Sequence, residues 1–145
     1  MATAPNAAPG GRSARAEHPV AFVDSSAIVT LIDRDDASHA AAVEAYRSLV
    51  TGGYRLFTTS HVIDEALELL TAGVGTADAR QWLHEHRLAI YYVDEADLAA
   101  AIEMITGRDA SSPLSLTDAL SMVVMERLSV TDAFAVDPAF LAELS

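Results

Sequence analysis

The sequence predicts a single α/β domain with a small parallel sheet covered by helices on both faces. Short apolar segments rich in β-branched and aromatic residues alternate with longer segments that carry apolar residues at helical spacing. This alternation is typical of parallel strands joined by right-handed helical crossovers. With 145 residues, 51% of them apolar, the chain is long enough for one substantial core and too short for two. We therefore expect one domain, over residues 20–145.

Each predicted element has a local signal. Gly52, Gly73 and Gly107 each follow a segment with helical periodicity and predict the end of a helix. An acid followed by proline, Asp137-Pro138, predicts the start of the last helix. The predicted strands are 20–23, 55–58, 88–93 and 130–136, and the predicted helices are 25–32, 36–50, 60–72, 75–86, 94–106, 115–128 and 138–144. The run over 88–93 is the clearest strand signal in the chain.

Residues 1–19 are mostly Ala, Pro, Gly and Ser, which cannot bury a core, so we expect a disordered N-terminal arm. The chain has no cysteine, which excludes disulfides and thiolate metal sites. No apolar run reaches the roughly 18 residues of a membrane span, and the first residues lack the apolar segment of a secretory signal. These features favour a cytoplasmic protein that does not enter the membrane.

The formal net charge of -12 is unusual for a protein that binds a polyanion, because affinity for nucleic acid normally comes from cationic contacts with phosphates. All nine basic residues are arginine. A surface this acidic favours divalent cations and basic partner segments.

Four acids follow predicted strands or open predicted helices. Asp24 follows the first strand, Glu65 lies in the helix after the second, Asp118 is in the first turn of the helix that Ser115 opens, and Asp137 follows the last strand. Singly, such acids are ordinary helix caps or first-turn residues, each worth about 1 kcal/mol, and Glu65 is predicted on the helix side opposite Val62, Ala66, Leu69 and Ala72. Taken together, the four acids are expected at the carboxyl edge of the sheet, where open α/β proteins usually bind their ligands.

Converging carboxylates repel one another unless cations neutralise them. Mg²⁺ or Mn²⁺ is the natural neutraliser, because both ions prefer oxygen ligands and assist phosphodiester hydrolysis. The five histidines show no spacing typical of a metal site. The sequence therefore indicates a site for Mg²⁺ or Mn²⁺ held by carboxylates.

Three segments, VDSSA, TTSHVIDEALELL and SLTDALSMVVMERLSVTDAFAVDPAF, resemble the PIN domain nucleases, most closely the toxins of VapBC toxin–antitoxin pairs. The resemblance runs from Val20 to Phe140 and implies a strand order of 3-2-1-4. It also implies a metal-dependent endoribonuclease that hydrolyses RNA without a covalent enzyme intermediate, a partner antitoxin of the VapB type, and a homodimer.

Carried over by motif, the resemblance makes the four acids the catalytic residues and the ligands of Mg²⁺ or Mn²⁺: Asp24, Glu65, Asp118 and Asp137. Pro138 and Ala139 depart from the basic or polar residues often found after the last acid. Asp132 is the substitute if the register is shifted. The hydroxyls of Ser25, Ser26 and Thr117 are candidates for holding a ligand water or a scissile phosphate.

Two alternatives stay open at this level. A catalytically silent PIN fold would bind RNA or a protein partner without cleavage. A phospho-acceptor receiver domain also places acids at strand ends and binds Mg²⁺, but receivers resemble one another in a lysine at the end of the last strand, and this chain has no lysine.

Overall fold

The computed structural model describes residues 18–145, and within them four parallel strands form one sheet in the order β3-β2-β1-β4. The strands are β1 (Val20–Val23), β2 (Arg55–Thr59), β3 (Ala89–Tyr91) and β4 (Asp132–Phe134). The helices are α1 (Ser25–Ile32), α2 (His39–Thr51), α3 (Ser60–Val74), α4 (Thr76–Glu85), α5 (Glu95–Thr106), α6 (Leu116–Arg127) and α7 (Pro138–Leu144). The α/β class is the one that the sequence predicts, and the strand order is the one that the resemblance implies. The predicted arm lies outside the described residues apart from positions 18 and 19.

Helices cover both faces of the sheet. Successive residues of a strand point to opposite faces, yet Ala21, Phe22 and Val23 of β1 are all buried. The ring of Phe22 packs edge to face on Phe57 of β2, with 5.7 Å between ring centroids, and its centroid lies 6.1 Å from that of Phe140 of α7. The three rings therefore join three elements in the main core. A smaller cluster between α5 and α6 centres on three fully buried apolar residues, Ala101, Ala119 and Leu120.

Two predicted helix boundaries and part of one predicted helix face are wrong for identifiable reasons. Helix α2 begins at His39 and not at residue 36, because the Asp36 side chain accepts from the Ser38 N–H and holds a turn there. Helix α3 continues past Gly73 to Val74 and is followed by Gly75, whose φ of 99° only glycine adopts readily. Of its predicted apolar side, Val62 and Ala66 are buried, but Leu69 and Ala72 are exposed and Leu70 is buried in their place.

Strand β3 is shorter than its sequence signal, with three residues in place of the predicted six. It lies at the edge of the sheet, where Tyr92 is 74% exposed. The Val93 N–H donates to Ser60 Oγ at 3.1 Å, which ends the strand by anchoring it to the start of α3. Among residues 18–145, no helix combines the length and the apolar character needed to cross a bilayer.

Candidate active site at the carboxyl edge of the sheet

The carboxyl edge of the sheet is fixed by bonds between neighbouring strands around Asp24. Thr58 Oγ1 donates to the Val23 carbonyl at 2.7 Å, and the Asp24 N–H donates to the Phe134 carbonyl at 3.0 Å. Both bonds come from backbone or fully buried groups, so they are shielded from water. The residue that follows β1 is thereby held between β2 and β4.

Asp24 caps α1 and is buried, with an exposure of 2%. Its Oδ2 accepts from the Ser26 N–H at 3.1 Å and from Ser26 Oγ at 2.6 Å, whereas its Oδ1 is buried without a hydrogen-bond partner in the described part of the chain. Burial raises the pKa of Asp24 against these bonds from Ser26, and the nearby Asp137 charge raises it further. A buried carboxylate oxygen without a partner is costly unless a ligand or proton satisfies it.

Glu65 contacts the start of α1 rather than standing free on the surface of α3. It is partly buried, and its Oε1 accepts from Ser25 Oγ of α1 at 2.5 Å. The contact follows from the packing of α3 against α1, which brings Glu65 beside the first residue of α1.

Asp118 is the most perturbed acid of the site. Ser115 Oγ caps α6 by accepting from the Asp118 N–H at 3.0 Å, as the sequence predicts. Burial raises the pKa of the Asp118 carboxyl to about 6, and the charges of Asp24, Glu65 and Asp137 add to the rise. The four acids from four separate segments therefore lie close enough to affect one another.

Asp137 caps α7, with its Oδ1 accepting from the Ala139 N–H at 3.1 Å. Asp132, the substitute for this position, opens β4 and accepts from the Tyr54 hydroxyl at 3.2 Å at the opposite end of the sheet. Because strand polarity separates these two acids, Asp137 belongs to the carboxyl edge and Asp132 does not.

The donor set suits a hard divalent cation. All four side chains offer carboxylate oxygens, and the unpartnered Asp24 Oδ1 is available for a ligand bond. Within residues 18–145, no three carboxylate or imidazole groups are already placed around one common point. The hydrogen bonds from Ser25 and Ser26 hold two of the carboxylates in the present arrangement. The site therefore fits such an ion in charge and chemistry.

Comparison with known proteins agrees with this geometry. The PIN domain family model matches residues 21–142. A VapC ribonuclease of Archaeoglobus fulgidus is 31% identical over 113 residues, which cover 76% of this chain and 72% of the relative. The crystal structure of Mycobacterium tuberculosis VapC20, described as a sarcin-ricin loop cleaving toxin, superposes with a TM-score of 0.72 at 25% identity, covering 86% of this chain and 94% of that one. The chain belongs to the PIN domain family and is a protein of the VapC type.

Proposed function

We propose that this protein is a divalent-metal-dependent endoribonuclease and the toxin of a toxin–antitoxin pair. The observation that carries the proposal is the convergence of four carboxylates from separate segments, where burial and then the charges of Asp24, Glu65 and Asp137 raise the pKa of Asp118 to about 6. The similarity to a VapC ribonuclease and to a toxin that cleaves RNA supports the same activity.

In this proposal, Asp24, Glu65, Asp118 and Asp137 hold Mg²⁺ or Mn²⁺. When bound, the ion neutralises the clustered charges and polarises a phosphodiester for hydrolysis by water. The chain's own part is to keep the carboxylates at fixed positions, since Ser25 and Ser26 restrain Glu65 and Asp24. The raised pKa of Asp118 also brings the protonation of its carboxyl closer to neutral pH in the metal-free protein.

The direct test incubates purified protein with total RNA in the presence of Mn²⁺, Mg²⁺ or EDTA. The proposal expects cleavage with either metal and none in EDTA. Cleavage that continues in EDTA, or that survives combined Asp24→Asn and Asp118→Asn substitution, would contradict it. Metal-independent RNA binding without cleavage would favour the catalytically silent alternative. The receiver alternative is already wrong, because the sheet order 3-2-1-4 and the family match are those of a PIN domain.

RNA and a VapB-type antitoxin are the proposed partners, with a homodimer as the proposed assembly. The net charge of -12 predicts weak, salt-dependent binding of RNA and stronger binding of a cationic segment. An arginine of the antitoxin placed against the four acids would compete with metal for the carboxylates. Titrating the antitoxin's C-terminal segment against Mn²⁺-loaded protein tests this competition. Binding that is indifferent to Mn²⁺ concentration would leave steric cover of the RNA path as the mechanism of inhibition.

A further inference from the structure

Ser26 occupies a junction between the first and the last acid of the site. Its hydroxyl donates to Asp24 Oδ2 at 2.6 Å and accepts from the backbone N–H groups of Val136 at 2.9 Å and Asp137 at 3.2 Å. Val136 and Asp137 lie 110 and 111 residues after Ser26 in the chain. A single side-chain oxygen therefore joins the start of α1 to the segment between β4 and α7.

The three bonds use the full capacity of a serine hydroxyl, which has one proton to donate and two lone pairs to accept. Backbone N–H groups can only donate, so the Val136 and Asp137 amides take both lone pairs. The hydroxyl proton then belongs to the bond with Asp24. In this arrangement Ser26 has neither a proton to donate to a scissile phosphate nor a lone pair to accept from a ligand water, so these bonds do not fit the role considered for it from the sequence.

The bonds from Ser26 lie just beyond the end of the backbone pairing between β1 and β4. The backbone pairing between β1 and β4 reaches the Asp24 N–H and the Phe134 carbonyl, three residues before Asp137. Beyond that point, Ser26 takes the two amides that lead into Asp137. The Asp137 side chain is restrained in turn by its own bond to the Ala139 N–H.

We propose that Ser26 is a positioning residue of the nuclease site, fixing the backbone of the fourth acid, Asp137, relative to the carboxylate of the first, Asp24. The inference rests on the proposed function for its catalytic consequence. Groups that orient metal ligands typically change metal affinity or activity by about 10- to 100-fold when removed.

The test compares Ser26→Ala and Ser26→Thr with the wild type. Ser121→Ala is the control, because it removes a buried hydroxyl of another helix, which donates to the Thr117 carbonyl at 3.0 Å. The first readout is hydrogen exchange of the Val136 and Asp137 amides by NMR in metal-free protein. The second is the dissociation constant for Mn²⁺ alone, measured by electron paramagnetic resonance of the free ion.

We expect Ser26→Ala to lose protection of both amides and to bind Mn²⁺ about 10- to 100-fold more weakly. Ser26→Thr should restore both properties, and Ser121→Ala should change neither. In an Asp137→Asn background, the Ser26→Ala loss should shrink, because the acid it positions is already gone. If the alanine variant does not fold, Ser26→Cys replaces it, since a thiol fills the same place but bonds weakly.

Each contrary outcome separates the inference from the proposed function. Amides that stay protected in Ser26→Ala would overturn the positioning role, as would unchanged Mn²⁺ affinity after protection is lost. In both cases the nuclease proposal stands if the wild type binds Mn²⁺ and cleaves RNA. A wild type that binds no Mn²⁺ would overturn the proposed function and, with it, the catalytic consequence inferred for Ser26.

Discussion

Asp97 and Asp118 occupy the same position in consecutive helices but have opposite environments. Each is the third residue of its helix, and each donates its backbone N–H to the capping side chain, Asp94 in α5 and Ser115 in α6. Asp97 returns the bond of a capping box, accepting from the Asp94 N–H at 3.1 Å, and also accepts from the Tyr91 hydroxyl at 2.9 Å.

The main difference between the two acids is the neighbouring charge. Arg127 lies 2.7 Å from Asp97 Oδ1. Burial alone would raise the pKa of Asp97, but the Asp94 backbone N–H, the Tyr91 hydroxyl and the Arg127 guanidinium hold it below its usual value. Asp118 has three acids around it instead, and burial followed by the charges of these acids raises its pKa to about 6. An acid that opens a helix is thus structural where an arginine neutralises it, and a candidate ligand where only other acids surround it.

The largest expected effect of this difference is on RNA cleavage. Asp118→Asn removes a proposed metal ligand and should lower the cleavage rate by about 10²-fold or more, in the range known for loss of a group that stabilises transition-state charge. Asp97→Asn should leave cleavage per folded molecule unchanged. The measurement is single-turnover cleavage with Mn²⁺ in excess, corrected for the folded fraction. Equal losses in the two variants would erase the distinction.

The second-largest expected effect is a loss of folding stability in the Asp97 variant. Asp97→Asn leaves Arg127 without its buried partner and weakens charge-assisted bonds from Tyr91 and the Asp94 amide. We expect the free energy of unfolding to fall by about 2 kcal/mol, since hydrogen bonds to charged groups are worth about 1.5–3 kcal/mol each and asparagine retains part of them. Urea denaturation of metal-free protein measures the change. An unaltered midpoint would show that the cluster around Asp97 contributes little.

The smallest effect is a gain in stability. The pKa of Asp118 is raised from 3.8 to about 6, so the folded protein binds this proton more tightly than the unfolded chain does. The proton's contribution to folding stability is therefore fully present below pH 3.8 and is lost as pH rises through about 6. Asp118→Asn should remove this loss and stabilise metal-free protein at neutral pH by about 1 kcal/mol, a value reduced for solvent screening. Thermal unfolding across that pH range measures it. Destabilisation at neutral pH would mean that the carboxylate's role at the helix start outweighs repulsion.

Much of the fold is readable from the sequence because its signals are local. The run 20–23 and the Asp137-Pro138 pair mark β1 and the start of α7 directly. Element lengths depend on neighbours instead. β3 is short because Ser60, 33 residues away from Val93, takes that residue's N–H. No pattern near position 93 carries this information.

The site divides in the same way. The sequence places Asp24, Asp118 and Asp137 after strands or in a helix first turn and Glu65 within the helix that follows the second strand, and the structure brings them near one another. The sequence does not give the charge environment, because Arg127 reaches Asp97 from 30 residues further along the chain. The Ser25 and Ser26 contacts are missed for the same reason, although two hydroxyls directly after the first acid are the signal that pointed to that place.

The most direct measurement is thermal unfolding in low salt as Mn²⁺ is added, for wild type and Asp24→Asn. In the proposed function, a divalent cation neutralises the four acids as Arg127 neutralises Asp97. Binding of Mn²⁺ to the folded state should then stabilise the wild type by about 2.7 kcal/mol when the ion is at 100 times its dissociation constant. Asp24→Asn removes the oxygen pair that includes the unpartnered Oδ1, so the increase should largely disappear. A wild-type melting temperature indifferent to millimolar Mn²⁺, or an equal increase in both proteins, would contradict a shared metal site.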